Sequence, residues 1–232
     1  MLSRIEQWLF PHICSICGET TTEDIDLCAL CKHSLPWLEE RCFRCGLFID
    51  AGVDSVYCQY CITSPPSFDR LCALFSYDPP VTRLIAGLKF GGKLANGRVL
   101  GELLAEQVEL SWYKNRSKPE VILPVPLHSS RLRSRGFNQA LELLWPLKKY
   151  SNIPILYNVC LRVRKTPSQL QFNKGRRIRN MNKAFQLVTP LPYEHVAIMD
   201  DVVTTGSTVK AMAKMLKDSG IQTVDIWCIC RA

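Results

Sequence analysis

The sequence predicts an α/β domain with a mainly parallel sheet, preceded by a small cysteine-rich module. Strand-like apolar runs alternate with helical patterns across residues 67–232, which is typical of βαβ units. One of these runs leads through a glycine-bearing loop into an amphipathic helix, as strands of parallel sheets do. The module is predicted by four C-x-x-C pairs, which all fall within residues 1–66.

The elements of the domain follow a short Ser-Pro-Pro-Ser linker at residues 64–67. Apolar runs predict strands at residues 71–77, 120–126, 159–163, 196–201 and 223–230. Helical periodicity predicts helices at residues 79–89, 97–112, 137–150 (interrupted near Pro146) and 208–219. The last helix has its apolar stripe at i, i+3, i+4 and i+7, which are Val209, Met212, Ala213 and Leu216.

The strand, loop and helix at residues 196–208 carry the strongest functional signal. The predicted strand ends in Asp200 and Asp201, whose carboxylates suit a vicinal diol or a hydrated Mg²⁺. The loop that follows offers hydroxyl and backbone N–H donors at a helix N-terminus, where anions bind. Its residues are Thr204, Thr205, Gly206, Ser207 and Thr208. A sugar phosphate is therefore the predicted ligand.

This segment resembles the ribose-phosphate signature of type I phosphoribosyltransferases: two hydrophobic residues, paired acids, two small apolar residues, then T-T-G-S-T. The resemblance implies that Asp200 and Asp201 hold the ribose hydroxyls of phosphoribosyl pyrophosphate, and that residues 204–208 hold its 5′-phosphate. It also implies a pyrophosphate loop between the strand at 120–126 and the next helix. The binding residues implied there are Pro126, Leu127, Arg131 and Arg135.

A wider resemblance spans essentially the whole chain. R-G-F-N-Q at 135–139, D-D-V-V-T-T-G-S-T at 200–208 and the four C-x-x-C pairs together resemble the ComF family (GntX-like in some bacteria). This resemblance implies a type I phosphoribosyltransferase fold behind a double zinc ribbon, with Mg²⁺ accompanying phosphoribosyl pyrophosphate. It also implies a role in natural competence and DNA uptake. The chain departs from the family pattern at Arg176, where many relatives would carry an acid.

The cysteine pairs predict two structural zinc ions, because two C-x-x-C knuckles complete one tetrahedral Cys₄ site. Sequential pairing of the knuckles is the simplest arrangement, and interleaved pairing stays open. A disulfide framework is the alternative, but no secretory signal precedes the cysteines. Nor does any stretch reach the ~18 apolar residues of a membrane span, so we expect a soluble, cytoplasmic protein. The predicted ligands are Cys14, Cys17, Cys28, Cys31, Cys42, Cys45, Cys58 and Cys61.

Charge divides the chain between its two parts. Residues 1–70 hold five Lys/Arg and ten Asp/Glu, whereas residues 71–232 hold the other 24 bases and 11 acids. No carboxylate lies between Glu142 and Glu194. Basic surface with nearby aromatics favours single-stranded nucleic acid, although a polyanionic small ligand explains the cations equally well. The candidate DNA-binding residues are Lys165, Arg176, Arg177, Arg179 and Lys183.

Two functions remain open from the sequence. The first is an enzyme that transfers the phosphoribosyl group to an acceptor that the sequence does not reveal, by positioning and charge stabilisation. The second is a catalytically inactive DNA-handling protein, in which the nucleotide site senses a ligand or grips a 5′-phosphate. The resemblance also implies contacts with other competence or DNA-translocation proteins.

Overall fold

A computed structural model of the chain describes residues 11–49, 55–163 and 184–232. The strands are β1 His12–Ile13, β2 Thr20–Thr21, β3 Arg70–Ser76, β4 Val121–Pro124, β5 Cys160–Arg162, β6 Phe185–Leu187, β7 His195–Val203 and β8 Thr223–Arg231. The helices are α1 Ala29–His33, α2 Gln59–Thr63, α3 Val81–Gly91, α4 Leu94–Gln107, α5 Ser129–Arg135, α6 Gln139–Glu142 and α7 Ser207–Asp218. A π-helical turn covers Val108–Trp112, and a 3₁₀ turn covers Pro146–Lys149.

The central sheet has four parallel strands in the order β3-β8-β7-β4. An isolated parallel bridge between Ile122 and Ile155 extends it beyond β4. The two central strands are buried almost throughout, because helices and loops cover both faces of a parallel sheet. The predicted fold class, a mainly parallel α/β sheet behind a cysteine-rich module, is therefore confirmed.

The sheet separates two apolar cores. One face packs against α3 and α4 through residues such as Leu88 and Leu104. The other face packs against α7, whose stripe of Val209, Met212, Ala213 and Leu216 is buried as predicted. The antiparallel pair β5–β6 lies on that second face, where Phe185 joins the core.

Three local expectations are wrong. The helix expected at 137–150 is only the four-residue α6 and a 3₁₀ turn, since Pro146 cannot continue a helix. Helix α5 lies where a loop was expected. Strand β7 does not end at the acid pair, because Val202 and Val203 still pair with Cys230 and Arg231 of β8.

The N-terminal module is joined to the sheet by backbone hydrogen bonds. Leu38 donates its N–H to the carbonyl of Leu74 (2.9 Å), and Ser76 donates to that of Pro36 (3.0 Å). The rings of Trp37 and Phe75 lie 4.7 Å apart at the same edge. Residues 36–38 thus extend the β3 edge of the sheet. The domain boundary predicted between residues 1–66 and 67–232 remains a prediction. In the described ranges, no helix is long and apolar enough to cross a membrane.

Candidate functional site

Two buried carboxylates lie where β7 loses its neighbour on one side. Strand β4 ends at Pro124, which pairs with Met199, and Val125 makes the last backbone hydrogen bond to Met199 (2.8 Å). Asp200 and Asp201 follow directly and are buried. The crevice beyond the end of a parallel strand is the usual ligand position in open α/β sheets. The acid pair therefore lies where the sequence analysis expected a ligand.

Lys89, near the end of α3, forms an ion pair with Asp201. Burial lowers the pKa of Lys89, and the carboxylate of Asp200 opposes this effect. Lys89 was not among the site residues predicted from the sequence. The signal was present in the basic, glycine-paired end of that helix, Lys-Phe-Gly-Gly-Lys at 89–93. Only the tertiary structure, however, brings this end to the acid pair.

The predicted phosphate-binding residues form a tight turn between β7 and α7. Gly206 has a φ of 71°, which L side chains rarely adopt, and it stands at the N-cap of the helix. Glycine has no side chain to cap the helix, and the Ser207 N–H donates to the Thr205 hydroxyl (3.4 Å). The N-terminus of a helix attracts anions. The hydroxyls of Thr205 and Ser207 lie 3.1 Å apart in the same turn. This geometry suits a phosphate group.

The loop after β4 is held beside the acid pair by the R-G-F-N-Q motif. Asn138 donates its side-chain amide to the carbonyl of Val125 (3.1 Å) and accepts from the N–H of Ala140 (3.0 Å), so it caps α6. Gln139 accepts a hydrogen bond from the guanidinium of Arg135 (2.5 Å). The motif therefore positions the loop that contains Pro126 and Leu127, and it orients Arg135.

Lys89 and Arg162 act electrostatically on Asp200, and both belong to a group of four interacting cations from three elements. The four cations are Lys89 of α3, Arg131 and Arg135 of α5, and Arg162 of β5. Burial lowers the pKa of Arg135 and of Arg162, and the charge of Arg131 lowers both further. Clustered like charges oppose one another, so a bound polyanion would relieve this repulsion. Arg162 lies in the basic interval between Glu142 and Glu194, and it was not predicted from the sequence as a site residue.

Asp200 makes the stability of the protein depend on pH. Burial raises its pKa from 3.8 to about 6, although the charges of Lys89 and Arg162 lower it. Between these values the folded chain binds more protons than the unfolded chain, so the free energy of unfolding should fall as pH rises. Asp200→Asn removes this fall, which amounts to at most about 3 kcal/mol.

Urea denaturation at several pH values between 4 and 7 measures this effect. The difference in unfolding free energy between the wild type and Asp200→Asn isolates the contribution of Asp200. The other titrating groups, the cysteines included, are common to both proteins. We expect the variant to gain stability relative to the wild type as pH rises. A difference in unfolding free energy that stays constant over this pH range would contradict the raised pKa of Asp200.

The eight module cysteines form two clusters in sequential pairing. Cys14, Cys17, Cys28 and Cys31 make the first cluster, and Cys42, Cys45, Cys58 and Cys61 make the second. The interleaved arrangement is therefore wrong. All 12 cysteines of the chain are among the described residues and are free thiols, which also excludes the disulfide framework.

Both clusters have the dimensions of a Cys₄ zinc site. Within each, all sulfur atoms lie within 4.8 Å of one another. The Cys17–Cys28 and Cys45–Cys58 sulfur pairs are 3.9 and 3.6 Å apart, near the ~3.8 Å edge of a zinc–thiolate tetrahedron. Burial raises the pKa of Cys14, but backbone N–H groups outweigh it and bring the value to about 6. The two clusters are thus zinc-binding sites.

The five candidate DNA-binding residues, Lys165, Arg176, Arg177, Arg179 and Lys183, lie outside the described residues. The described part of the basic interval does carry cations beside exposed aromatic rings. The Lys148 ammonium lies 4.3 Å from the ring centroid of Trp145, and that of Lys149 lies 5.0 Å from that of Tyr150. Both rings are more than a third exposed.

Comparisons with known proteins agree with this architecture. A family model described as a double zinc ribbon domain matches residues 5–62. DNA utilization protein YhgH of Salmonella typhi is 35% identical over 226 residues, which cover 95% of this chain and 97% of that protein. Competence protein F of Haemophilus influenzae is 33% identical, with 89% and 90% covered. Competence protein ComFC of Streptococcus pneumoniae is 24% identical, with 94% and 99% covered.

Among solved structures, a purine phosphoribosyltransferase from Pyrococcus horikoshii matches 58% of this chain and 83% of that chain. Its sequence identity is 19% and the TM-score is 0.32, so the site rests on its own geometry and not on this likeness.

Proposed function

The chain belongs to the ComF family, and from this premise we propose that it binds phosphoribosyl pyrophosphate together with Mg²⁺. One observation carries the proposal: a buried acid pair is followed directly by a glycine-capped helix N-terminus, and Lys89 and Arg162, two of four interacting cations, act on its Asp200. A ligand that combines a diol, a terminal phosphate and a diphosphate matches all three features.

Each part of the site would bind one part of this ligand. The turn of residues 204–208 would hold the 5′-phosphate through backbone N–H and hydroxyl donors. Asp200 and Asp201 would accept hydrogen bonds from the ribose hydroxyls or hold water on Mg²⁺. Arg131 and Arg135 would neutralise the diphosphate beside Pro126 and Leu127, since guanidinium groups bind phosphate oxygens in a fork geometry.

Such a site also supports transfer of the phosphoribosyl group. Fixed cations and Mg²⁺ at the diphosphate would stabilise the charge that develops there as the bond to ribose C1 breaks. Titration with phosphoribosyl pyrophosphate, with and without Mg²⁺, tests the binding proposal, and pyrophosphate release with candidate bases tests transfer. Binding of phosphoribosyl pyrophosphate without release of pyrophosphate would favour a ligand sensor that uses the same site. No binding in either condition would refute the proposal.

Single-stranded DNA is a second proposed ligand. Its support is the pairing of Lys148 with the exposed ring of Trp145 in the carboxylate-free interval. Lys149 pairs in the same way with Tyr150, although both also contact Glu102 of α4. Backbone charges and stacking bases require that combination. The names of the relatives, DNA utilization protein and competence protein F, favour the same ligand.

We expect single-stranded DNA to bind with an affinity that falls as salt rises, at a logarithmic slope of ~0.7 per phosphate contacted. Replacing Arg176, Arg177 and Arg179 by glutamine should flatten this slope, because phosphate contacts are lost. Asp200→Asn should leave DNA binding unchanged or slightly stronger. Fluorescence anisotropy with a labelled oligonucleotide measures both. A triple variant with the wild-type slope would place the DNA contacts elsewhere.

A role in natural competence, in the cytoplasm, completes the proposal. Cys₄ zinc sites need reduced thiols, which the cytoplasm maintains. The acidic module is poorly suited to DNA and better suited to contacts with other competence or DNA-translocation proteins. Deletion of the gene in a naturally transformable host should reduce transformation, whereas uptake of intact DNA into the cell envelope should persist.

A further inference from the structure

Arg231, the last residue of β8, joins the second cysteine cluster to the phosphate-binding turn. Its Nε donates a hydrogen bond to the carbonyl of Cys45 (2.9 Å), and its Nη1 donates to that of Val203 (2.9 Å) and to that of Thr204. One half-buried guanidinium therefore spans a metal-ligand knuckle and the first residues of the turn. No sequence motif pointed to this residue.

A second contact links the same two regions through α2 and α7. The ammonium of Lys210 lies 5.1 Å from the ring centroid of Tyr60, which stands between Cys58 and Cys61. The Lys210 backbone N–H donates to the carbonyl of Gly206 (2.8 Å), which closes the first turn of α7. The knuckle that supplies two zinc ligands thus packs on the helix whose N-terminus faces the phosphate position.

The first knuckle of this cluster also packs closely on the sheet. Gly46 has a φ of 67°, and a Cβ there would lie 2.6 Å from Leu71 Cδ2 and 3.6 Å from the Arg231 side chain. Only glycine allows this approach. The second cluster therefore cannot lose its shape without disturbing the surroundings of Arg231.

The second zinc site and the Arg231 guanidinium also attract each other electrostatically. A Cys₄Zn unit carries a formal charge of −2, so zinc binding would place a lasting negative charge beside Arg231. That charge favours a fixed position of the guanidinium between the knuckle and the turn.

We infer that Arg231 is a positioning residue, and that the second zinc site acts through it and through α2 to hold the phosphate-binding turn in its binding shape. This inference rests on the proposed binding of phosphoribosyl pyrophosphate. The first zinc site has a different role, since it packs in the core beneath α3 and α4, with Lys32 bonded to Glu106 of α4 (2.6 Å). Zinc at the second site alone should then control ligand affinity.

Matched variants test the inference. Cys17→Ser disrupts the first zinc site and Cys58→Ser the second, while Arg231→Met and Arg231→Lys leave all eight zinc ligands in place. Arg41→Met is the control for the arginine, because Arg41 also joins the module to the sheet, through the carbonyls of Leu38 and Ala73. Each protein is assayed for zinc content, thermal unfolding and affinity for phosphoribosyl pyrophosphate with Mg²⁺.

We expect Cys17→Ser and Cys58→Ser each to lose one zinc ion, and only Cys58→Ser to lose affinity. Arg231→Met should bind phosphoribosyl pyrophosphate about tenfold more weakly, as is typical when a charged hydrogen-bonding group is removed. Arg231→Lys should recover part of this loss, and Arg41→Met should bind as the wild type does.

Two fragments of the ligand separate a positioning role from general damage. Binding of ribose 5-phosphate measures the state of the phosphate-binding turn, and binding of pyrophosphate measures that of Arg131 and Arg135. Arg231→Met should therefore weaken the binding of ribose 5-phosphate only. Wild-type affinity of Arg231→Met for both fragments and for the whole ligand would overturn the inference. If Cys58→Ser does not fold, the arginine variants decide alone. A wild-type protein that binds no phosphoribosyl pyrophosphate would refute the proposed function itself.

Discussion

The double substitution Asp200→Asn, Asp201→Asn should weaken binding of phosphoribosyl pyrophosphate by roughly 100-fold or more. Each charged hydrogen bond lost typically costs about 1.5–3 kcal/mol, and about 1.4 kcal/mol corresponds to a factor of ten. Lys89 is partly buried and is paired with Asp201 in the ligand-free protein. Without the carboxylates, this cation has lost its counter-ion and the Mg²⁺ position has lost its negative charge.

Calorimetric titration of the double variant with phosphoribosyl pyrophosphate and Mg²⁺ measures the effect. Asp218→Asn is the matched control, since Asp218 is exposed and pairs only with Lys214 among the described contacts. The double variant should be less stable than the wild type, because Lys89 is left without its counter-ion, so circular dichroism confirms that it is folded before the titration. Retained affinity in the folded double variant would refute the assignment of the ribose to this acid pair.

Removal of zinc should unfold the N-terminal module and also lower the stability of the α/β domain. Structural zinc contributes on the order of 10 kcal/mol of binding free energy in small zinc domains, and this module has little other core. Cys14, Leu27 and Leu35 are nevertheless buried in the same cluster as Phe75 of β3. Loss of the module would expose that edge of the sheet.

Chelation followed by hydrogen exchange tests this expectation. The native protein should hold two zinc ions, and chelation should remove protection first from residues 11–49 and 55–63. Amides of β3 should then exchange faster, whereas those of β7 should change least, because β7 is shielded by β8 and β4. A protein that contains no zinc, or a β3 strand that keeps its full protection after chelation, would contradict this account.

The sequence alone determined the local features of this protein. The acid pair, the glycine-capped turn and the stripe of α7 are all set by residues that are neighbours along the chain. Periodicity and spacing therefore revealed them, and the resemblance to the ComF family gave them a chemical role. The four C-x-x-C knuckles were equally visible, because each is complete within four residues.

Only the tertiary structure decided which distant residues meet at the site. Lys89 lies 111 positions before Asp200, yet the packing of α3 on the sheet brings its ammonium to the acid pair. Sequential pairing of the knuckles is likewise set by the fold of the module, and the two-sided contact of Arg231 depends on how the module packs on the sheet. Side chains that converge from separate elements leave no period or spacing in the sequence. Their meeting is fixed by the burial of apolar faces, which only the folded chain displays.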